Sequence, residues 1–277
     1  MSDRSTDGST PFRKRFLVRP GGPVRLDRVD PNETLGHSKP DSIDKVKSDL
    51  KRLASLQERI FAERKHRVLI VLQGIDASGK DGTISHVMTG FNPQGCRVAG
   101  FDVPSAVELA HDYLWRIHDA VPGNGDIVIF NRSHYESVLI ERVHNLVSKD
   151  VWSRRYDQIN AFEEMLTREG TTIIKFFLHI DRDEQLARLK ARYDDPTKRW
   201  KFEVRDLEER ALWDDYAEAF EDALRRCSTE IAPWYVIPAN HKWFRDLAVG
   251  DIVADVLDGL RPEYPPGEEL PAGVVIE

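Results

Sequence analysis

The chain has 277 residues, 40% of them hydrophobic, enough for one substantial α/β domain with extensions or at most two small domains. Its net charge of −7 argues against a generally basic nucleic-acid-binding surface. The two cysteines, Cys96 and Cys227, stand in neither metal-ligand nor redox spacing and fit the reduced thiols of a cytoplasmic protein, while no segment approaches the ~20 apolar residues of a membrane span.

Residues 1–41 are rich in Gly, Pro, Asp, Arg and Ser, and read as an extended N-terminal arm outside the core, able to cross onto a neighbouring subunit. Its Arg13-Lys14-Arg15 cluster is followed by no apolar run of signal-peptide length. Asp41 or Ser42 then caps a helix in which Ile43, Val46, Leu50, Leu53 and Ile60 recur at helical spacing.

Val68-Leu69-Ile70-Val71-Leu72 is too short and too β-branched for a helix and predicts a strand buried on both faces. The turn that follows, Gly74-Ile75-Asp76-Ala77-Ser78-Gly79-Lys80-Asp81-Gly82-Thr83, has the spacing of a phosphate-binding loop. Small residues let successive backbone N–H groups converge on phosphate oxygens, the lysine adds a positive charge, and the helix beginning near Gly79 adds its positive end. Asp81 replaces the Ser or Thr that usually follows the lysine and holds Mg²⁺, and the first hydroxyl comes only at Thr83. Asp76 puts a further carboxylate inside the loop, where repulsion from bound phosphate requires an intervening cation. The loop therefore points to a metal-bridged polyanion.

Gly90 and Asn92-Pro93 end the helix after the loop, and Arg97 to Phe101 predict a second strand. Ser105 and Glu108 form a capping box for a helix carrying Leu109, Tyr113, Leu114 and Ile117, and Asp126 to Phe130 predict a third strand. Strand three runs directly into Asn131-Arg132-Ser133-His134-Tyr135-Glu136. Phosphate-loop enzymes usually place a metal-holding acid here. Asn131 brings no charge, which leaves Asp76 to compensate the metal, while Arg132 offers a planar fork to phosphate oxygens and Glu136 can accept from a nucleotide or position a metal-bound water. Ser133 and Glu136 also spell a helix-capping box.

A helix near 151–168 leads to strand four at 172–180, in which Lys175 is the anomaly: its ammonium either emerges at the phosphate end or meets a carboxylate. Asp181 and Glu184 cap a helix with Arg188, Lys190 and Arg192; a basic, aromatic loop at 194–201 and a long helix from 206–209 through Phe220 follow. Trp234 to Ile237 predict a fifth strand and Phe244 to Val256 a last helix, with 261–277 as a C-terminal tail. His134 and His179 have no partner at metal spacing and read as structural. Strands alternating with helices indicate one parallel sheet covered on both faces, with ligands at its carboxyl edge.

The loop from Gly74 to Thr83, the Asn131 to Glu136 run, Lys175 to Ile180 with Glu184-Gln185, Trp200-Lys201 and Ala232-Pro233-Trp234 together resemble the polyphosphate kinase 2 family. The resemblance implies an α/β protein with a three-layer α/β/α phosphate-loop kinase fold, a central parallel five-stranded sheet and a helical lid around 185–226 within a kinase domain at 42–260. It implies reversible phosphoryl transfer between inorganic polyphosphate and nucleotides, with Mg²⁺, or Mn²⁺ in its place, and a homodimer or homotetramer. The Asn-Arg-Ser-His-Tyr-Glu version is similar to the subgroup that phosphorylates AMP and ADP, with guanine nucleotides as further acceptors. Residue by residue, Lys80 with the amides of Gly74, Ala77, Ser78, Gly79, Asp81, Gly82 and Thr83 would hold the transferring phosphoryl. Asp76 would orient acceptor and metal, Arg132 would neutralise charge in flight, and Asn131 and Glu136 would complete the nucleotide site. Arg188, Arg192, Lys198, Arg199 and Lys201 would form a cationic track for polyphosphate. Two other readings share these residues: an ATP-dependent kinase of nucleotides or small molecules, and a non-catalytic nucleotide- or polyphosphate-binding regulator.

Overall fold

A computed structural model describes residues 11–268. Five strands, β1 (Arg67–Gln73), β2 (Cys96–Gly100), β3 (Ile127–Asn131), β4 (Thr171–His179) and β5 (Trp234–Pro238), form one sheet in the order β2-β3-β1-β4-β5, every pair parallel. Val68 to Leu72 of the central β1 are each no more than 1% exposed, because successive side chains enter opposite cores. Val68, Ile70 and Leu72 join one core with Leu53, Ile60 and Phe244, whereas Leu69 and Val71 join the other with Tyr156, Ile159 and Phe220. The first core lies under α1 (Pro11–Phe16), α2 (Lys39–Glu63), α3 (Lys80–Val87) and α11 (Lys242–Gly259). The second lies under α7 (Lys149–Arg168) and α10 (Trp213–Cys227). The result is the three-layer α/β/α arrangement.

Short helices α4 (Ala106–Leu109), α5 (Trp115–Asp119) and α6 (Ile140–Val143) line the crossings around β3, and α8 (Arg182–Asp194) and α9 (Arg205–Ala211) carry the chain between β4 and α10. The Ser105–Glu108 capping box forms as expected, but the helix it opens stops at Leu109. Asp112 Oδ1 accepts from the Leu114 N–H at 2.9 Å, a local bond that competes with helix, so α5 starts separately and Leu109 is exposed. The long helix expected from 206 also divides, at Leu212, into α9 and α10. Helix α2 begins earlier than expected: Ser38 is its cap, accepting from the Asp41 N–H, and Pro40 fits the first turn, where a missing N–H is harmless.

The largest departure is at the N-terminus. The described part of the stretch expected as an extended arm contributes Phe12, Phe16, Val18 and Leu26 to the core. Phe12 and Phe16 pack edge-on against Phe244, with ring centroids 5.9 and 6.0 Å away. Leu17 bridges Tyr235 in antiparallel fashion, the Val18 N–H donates to the Trp234 carbonyl at 2.8 Å, and Ser228 Oγ donates to the Val18 carbonyl at 2.6 Å. These bonds cover the open edge of β5, which would otherwise present unpaired backbone groups. Low periodicity hid two phenylalanines whose partner lies more than two hundred residues away. Residues 1–10 and 269–277 lie outside the described part.

Replacing the buried Phe16 with alanine is expected to lower the unfolding free energy by about 3–5 kcal/mol, read from urea denaturation midpoints. An unchanged midpoint would remove this segment from the core.

Candidate active site

β1 ends at Gln73, and the chain turns through Gly74 to Gly79 before α3 begins at Lys80. Two glycines are required on steric grounds. A Cβ on Gly74 would sit 2.6 Å from Ser78 Oγ and 2.9 Å from the Leu178 carbonyl oxygen; one on Gly79, whose φ is +107°, would sit 1.9 Å from Arg245 Nη1. Gly82 approaches the same guanidinium, with 3.0 Å between its ideal Cβ position and Arg245 Nη2. Ala77 holds a φ of +65° without being glycine. The Ser78 N–H donates to the Ile75 carbonyl at 3.0 Å, and the Lys80 ammonium reaches back across the turn to donate to the Gly74 carbonyl at 2.8 Å.

β1 and β3 pair so that Leu72 stands beside Asn131. The Arg132 N–H donates to the Leu72 carbonyl at 3.2 Å, and Arg132 adopts a φ of +63°. Its Nη2 lies 3.3 Å from Asp76 Oδ1. Lys80 sits in the field of Asp76, Arg132, Glu136 and Asp81; burial lowers its pKa, with the neighbouring carboxylates opposing the shift. Lys80, Asp76, Arg132 and Glu136 therefore converge at the carboxyl ends of β1 and β3. Glu136 does not close the expected capping box: Ser133 Oγ accepts from the Tyr135 N–H instead. Burial raises the Glu136 pKa, while Arg132 and Lys80 pull the other way.

Asn131 does not leave its position without charge. Its Nδ2 donates to Asp81 Oδ1 at 3.0 Å, and Lys201 Nζ donates to Asp81 Oδ2 at 3.0 Å. Burial works against the Asp81 charge, yet these two donors outweigh it and hold the carboxyl below the usual range. Thr83 takes a different place from the one expected: it is buried, and its hydroxyl donates to the Gly79 carbonyl at 3.2 Å inside α3. Ser78 Oγ is buried beneath Gly74.

The basic residues of α8 and the loop after it divide by task. Arg188, expected on a polyphosphate track, is buried and faces the loop from behind. Its Nη1 donates to the Ala77 and Ser78 carbonyls at 3.0 and 2.8 Å, its Nη2 to the Ala239 and Asn240 carbonyls at 2.5 and 3.0 Å, and its Nε to Glu184 Oε1 at 2.7 Å. All five N–H groups are thus committed to protein acceptors, which makes Arg188 a brace. The spacing of cations along a helix carries no information on which of them turns inward. Lys198 pairs with Asp195 at 2.6 Å and Arg199 lies over the Tyr193 ring at 5.1 Å, both exposed. Arg192 is half-buried, and Lys201 reaches Asp81.

Arg245, and Gln185 of the Glu184-Gln185 motif, touch the loop although neither was expected among the site residues. The buried Arg245 guanidinium fills the space under Gly79 and Gly82 and is oriented by Asp246, 2.6 Å from Nη2. Arg245 is one of several charged residues in α11, so no distinct signal in the sequence marks it as turning inward. Gln185 Nε2 donates to the Asp76 carbonyl at 3.1 Å, and Arg210 of α9 donates to Gln185 Oε1 at 3.0 Å, which links α9 to the loop. Lys175 meets a carboxylate, Glu163 of α7. His134 and His179 lie within hydrogen-bond distance of Glu163 Oε1 and of the Val29 carbonyl, both at 3.2 Å, partners distant in the chain. Among the described residues no group of three or more His, Cys, Asp or Glu could hold a metal by itself, and no helix is long and apolar enough to cross a membrane.

Comparison with known proteins agrees with this geometry. The chain is 53% identical over 266 residues to the AMP/ADP-polyphosphate phosphotransferase of Meiothermus ruber, covering 95% of this chain and 100% of that protein. It is 43% identical over 275 residues to the ADP-polyphosphate phosphotransferase of Rhodopseudomonas palustris, covering 94% and 93%. The crystal structure of polyphosphate kinase 2 from Arthrobacter aurescens TC1 superposes with a TM-score of 0.90 at 43% identity over 96% of each chain. A model of the Polyphosphate kinase 2 family matches residues 37–264. With the loop, the Arg132 segment and helices α8 and α9 all inside that match, the chain belongs to the polyphosphate kinase 2 family.

Proposed function

We propose that the protein transfers a phosphoryl group between inorganic polyphosphate and the adenine nucleotides AMP and ADP, with guanine nucleotides as secondary acceptors. The convergence of Lys80, Asp76 and Arg132 at the rim of β1 and β3 carries this reading. Acceptor and leaving group are both phosphate oxygens, ionised at neutral pH, so no strong general base is needed and catalysis rests on positioning and charge. Lys80 and the loop amides hold the transferring phosphoryl, while Arg132, whose fork already meets a carboxylate, can shift onto phosphate oxygens as charge moves. Lys201 pairs with Asp81 in the same way, and an arriving polyanion competes for it.

The donor set suits Mg²⁺, with Mn²⁺ as a substitute: one or two carboxylates from the protein and the remaining ligands from substrate phosphates and water. Asp76 is the first such carboxylate and Asp81, clamped by Asn131, the second. When bound, the ion would neutralise charge on the substrate phosphate oxygens. Assembly as a homodimer or homotetramer and a cytoplasmic location belong to the same proposal.

With Mg²⁺, AMP and polyphosphate as sole donor, ADP and ATP should accumulate, and Lys80→Ala should lower turnover by about 100-fold or more while the circular dichroism spectrum stays unchanged. Near-normal turnover in that variant would take the loop out of the mechanism. Neutralising Arg192 and Lys201 together should raise the KM for long polyphosphate far more than that for AMP, whereas Arg188→Ala should reduce activity with every donor and lower stability as well. Equal effects on both substrates from the Arg192/Lys201 pair would count against a chain-binding track. Glu136→Ala is expected to change the ratio of AMP to ADP phosphorylation; a ratio equal to wild type would exclude Glu136 from acceptor choice.

A further inference from the structure

The one lysine in the apolar β4, Lys175, is fully buried, and so, at 1% exposure, is its partner Glu163 on α7. Lys175 Nζ is bonded to Glu163 Oε2 and also donates to the Cys227 carbonyl at 2.7 Å and the Tyr135 hydroxyl at 2.9 Å. Glu163 Oε1 in turn accepts from the Tyr135 hydroxyl at 2.9 Å and lies 3.2 Å from His134 Nε2. Sealed from solvent, these groups meet no substrate. As a source of stability a buried ion pair is poor, since desolvation of both charges offsets their attraction and a well-packed apolar pair often does as well. What the pair touches is more informative.

His134 and Tyr135 stand in the same turn as Arg132 and Glu136, and the turn faces two ways. Arg132 and Glu136 point up to Asp76 and Lys80, and His134 and Tyr135 point down to Glu163. Arg132 holds a left-handed backbone conformation that a residue with a Cβ disfavours, so it requires fixed neighbours on both sides. On one side is its own N–H bond to Leu72. On the other, Ser133 Oγ accepts from Gln73 Nε2 at 3.1 Å and from the Tyr135 N–H at 3.2 Å, and Ser137 Oγ donates to the His134 carbonyl at 2.7 Å. Both side chains that anchor this turn from beneath end on Glu163.

We propose that Lys175 and Glu163 are positioning residues for phosphoryl transfer: gripping His134 and Tyr135 inside the protein, they hold Arg132 and Glu136 in register with Lys80. This rests on the reading of that rim as the transfer site. The pair does for the Arg132 segment what Arg188 does for the loop.

The test compares wild type with Glu163→Gln/Lys175→Met, which removes both charges at similar volume, and with Tyr135→Phe, which removes one hydroxyl. Thermal midpoints are read beside kcat, KM and acceptor preference. In the double variant the midpoint should hold or rise, kcat should fall by about 10- to 100-fold from misplaced groups, and the KM for polyphosphate should stay within about twofold. The AMP to ADP ratio should shift as Glu136 moves. A folded double variant with wild-type kcat and ratio overturns the proposal. Should the double variant fail to fold, Tyr135→Phe decides: a several-fold loss of kcat at an unchanged midpoint supports the proposal, and an unchanged kcat overturns it. Should wild type itself transfer nothing, the functional reading fails instead, and ADP affinity by calorimetry then tests the positioning role. There a loss of about fivefold or more in the double variant is expected, and wild-type affinity overturns it.

Discussion

The bond from the Arg132 N–H to the Leu72 carbonyl, 3.2 Å long, extends the pairing of β1 and β3 one residue beyond the sheet, and the site depends on it. Parallel pairing sets Leu72 beside Asn131 and so brings two chain reversals to one edge. One becomes the phosphate loop and the other presents Arg132 and Glu136. Had β3 been antiparallel, its polar end would lie at the opposite edge, several strand residues away from Lys80. The ligand crevice of an open parallel sheet follows from the same constraint.

Around that edge, charge is arranged in opposed pairs. Arg132 meets Asp76, Lys201 meets Asp81, and Glu136 sits in the field of Lys80 and Arg132. Partial burial strengthens such interactions beyond what water permits, and each partner is one that a phosphate or a cation can replace. Most phosphate loops carry a hydroxyl after the lysine and an acid at the end of the third strand. Here the acid follows the lysine, at Asp81, and the strand end carries the amide of Asn131, which donates to that acid across 3.0 Å. A carboxylate is thereby kept in the same neighbourhood although it comes from the other element.

Beneath the edge lies a buried supporting layer. Arg188 spends its guanidinium on loop carbonyls, Arg245 fills the space that Gly79 and Gly82 leave open, and Lys175 with Glu163 secures the turn that carries Arg132. Such groups leave little mark on composition, yet a shift of a reacting group by a single ångström is costly in rate. Helix α9 is tied into the same layer through Arg210, Gln185 and the Asp76 carbonyl.

The amino-acid sequence by itself determined the strands and their alternation with helices, the loop and its lysine, and the polar run after strand three. These are local signals of period, glycine spacing and an abrupt change from apolar to ionic residues. Tertiary structure alone decided that Phe12 and Phe16 belong to the core, that Asp112 divides a helix, that Arg188 turns inward while Lys201 reaches Asp81, and that Lys175 ends on Glu163. Each of these outcomes except the Asp112 turn is a contact between residues remote in the chain. A side chain's type states what it can bind, whereas its partner is chosen by which elements the sheet places beside it.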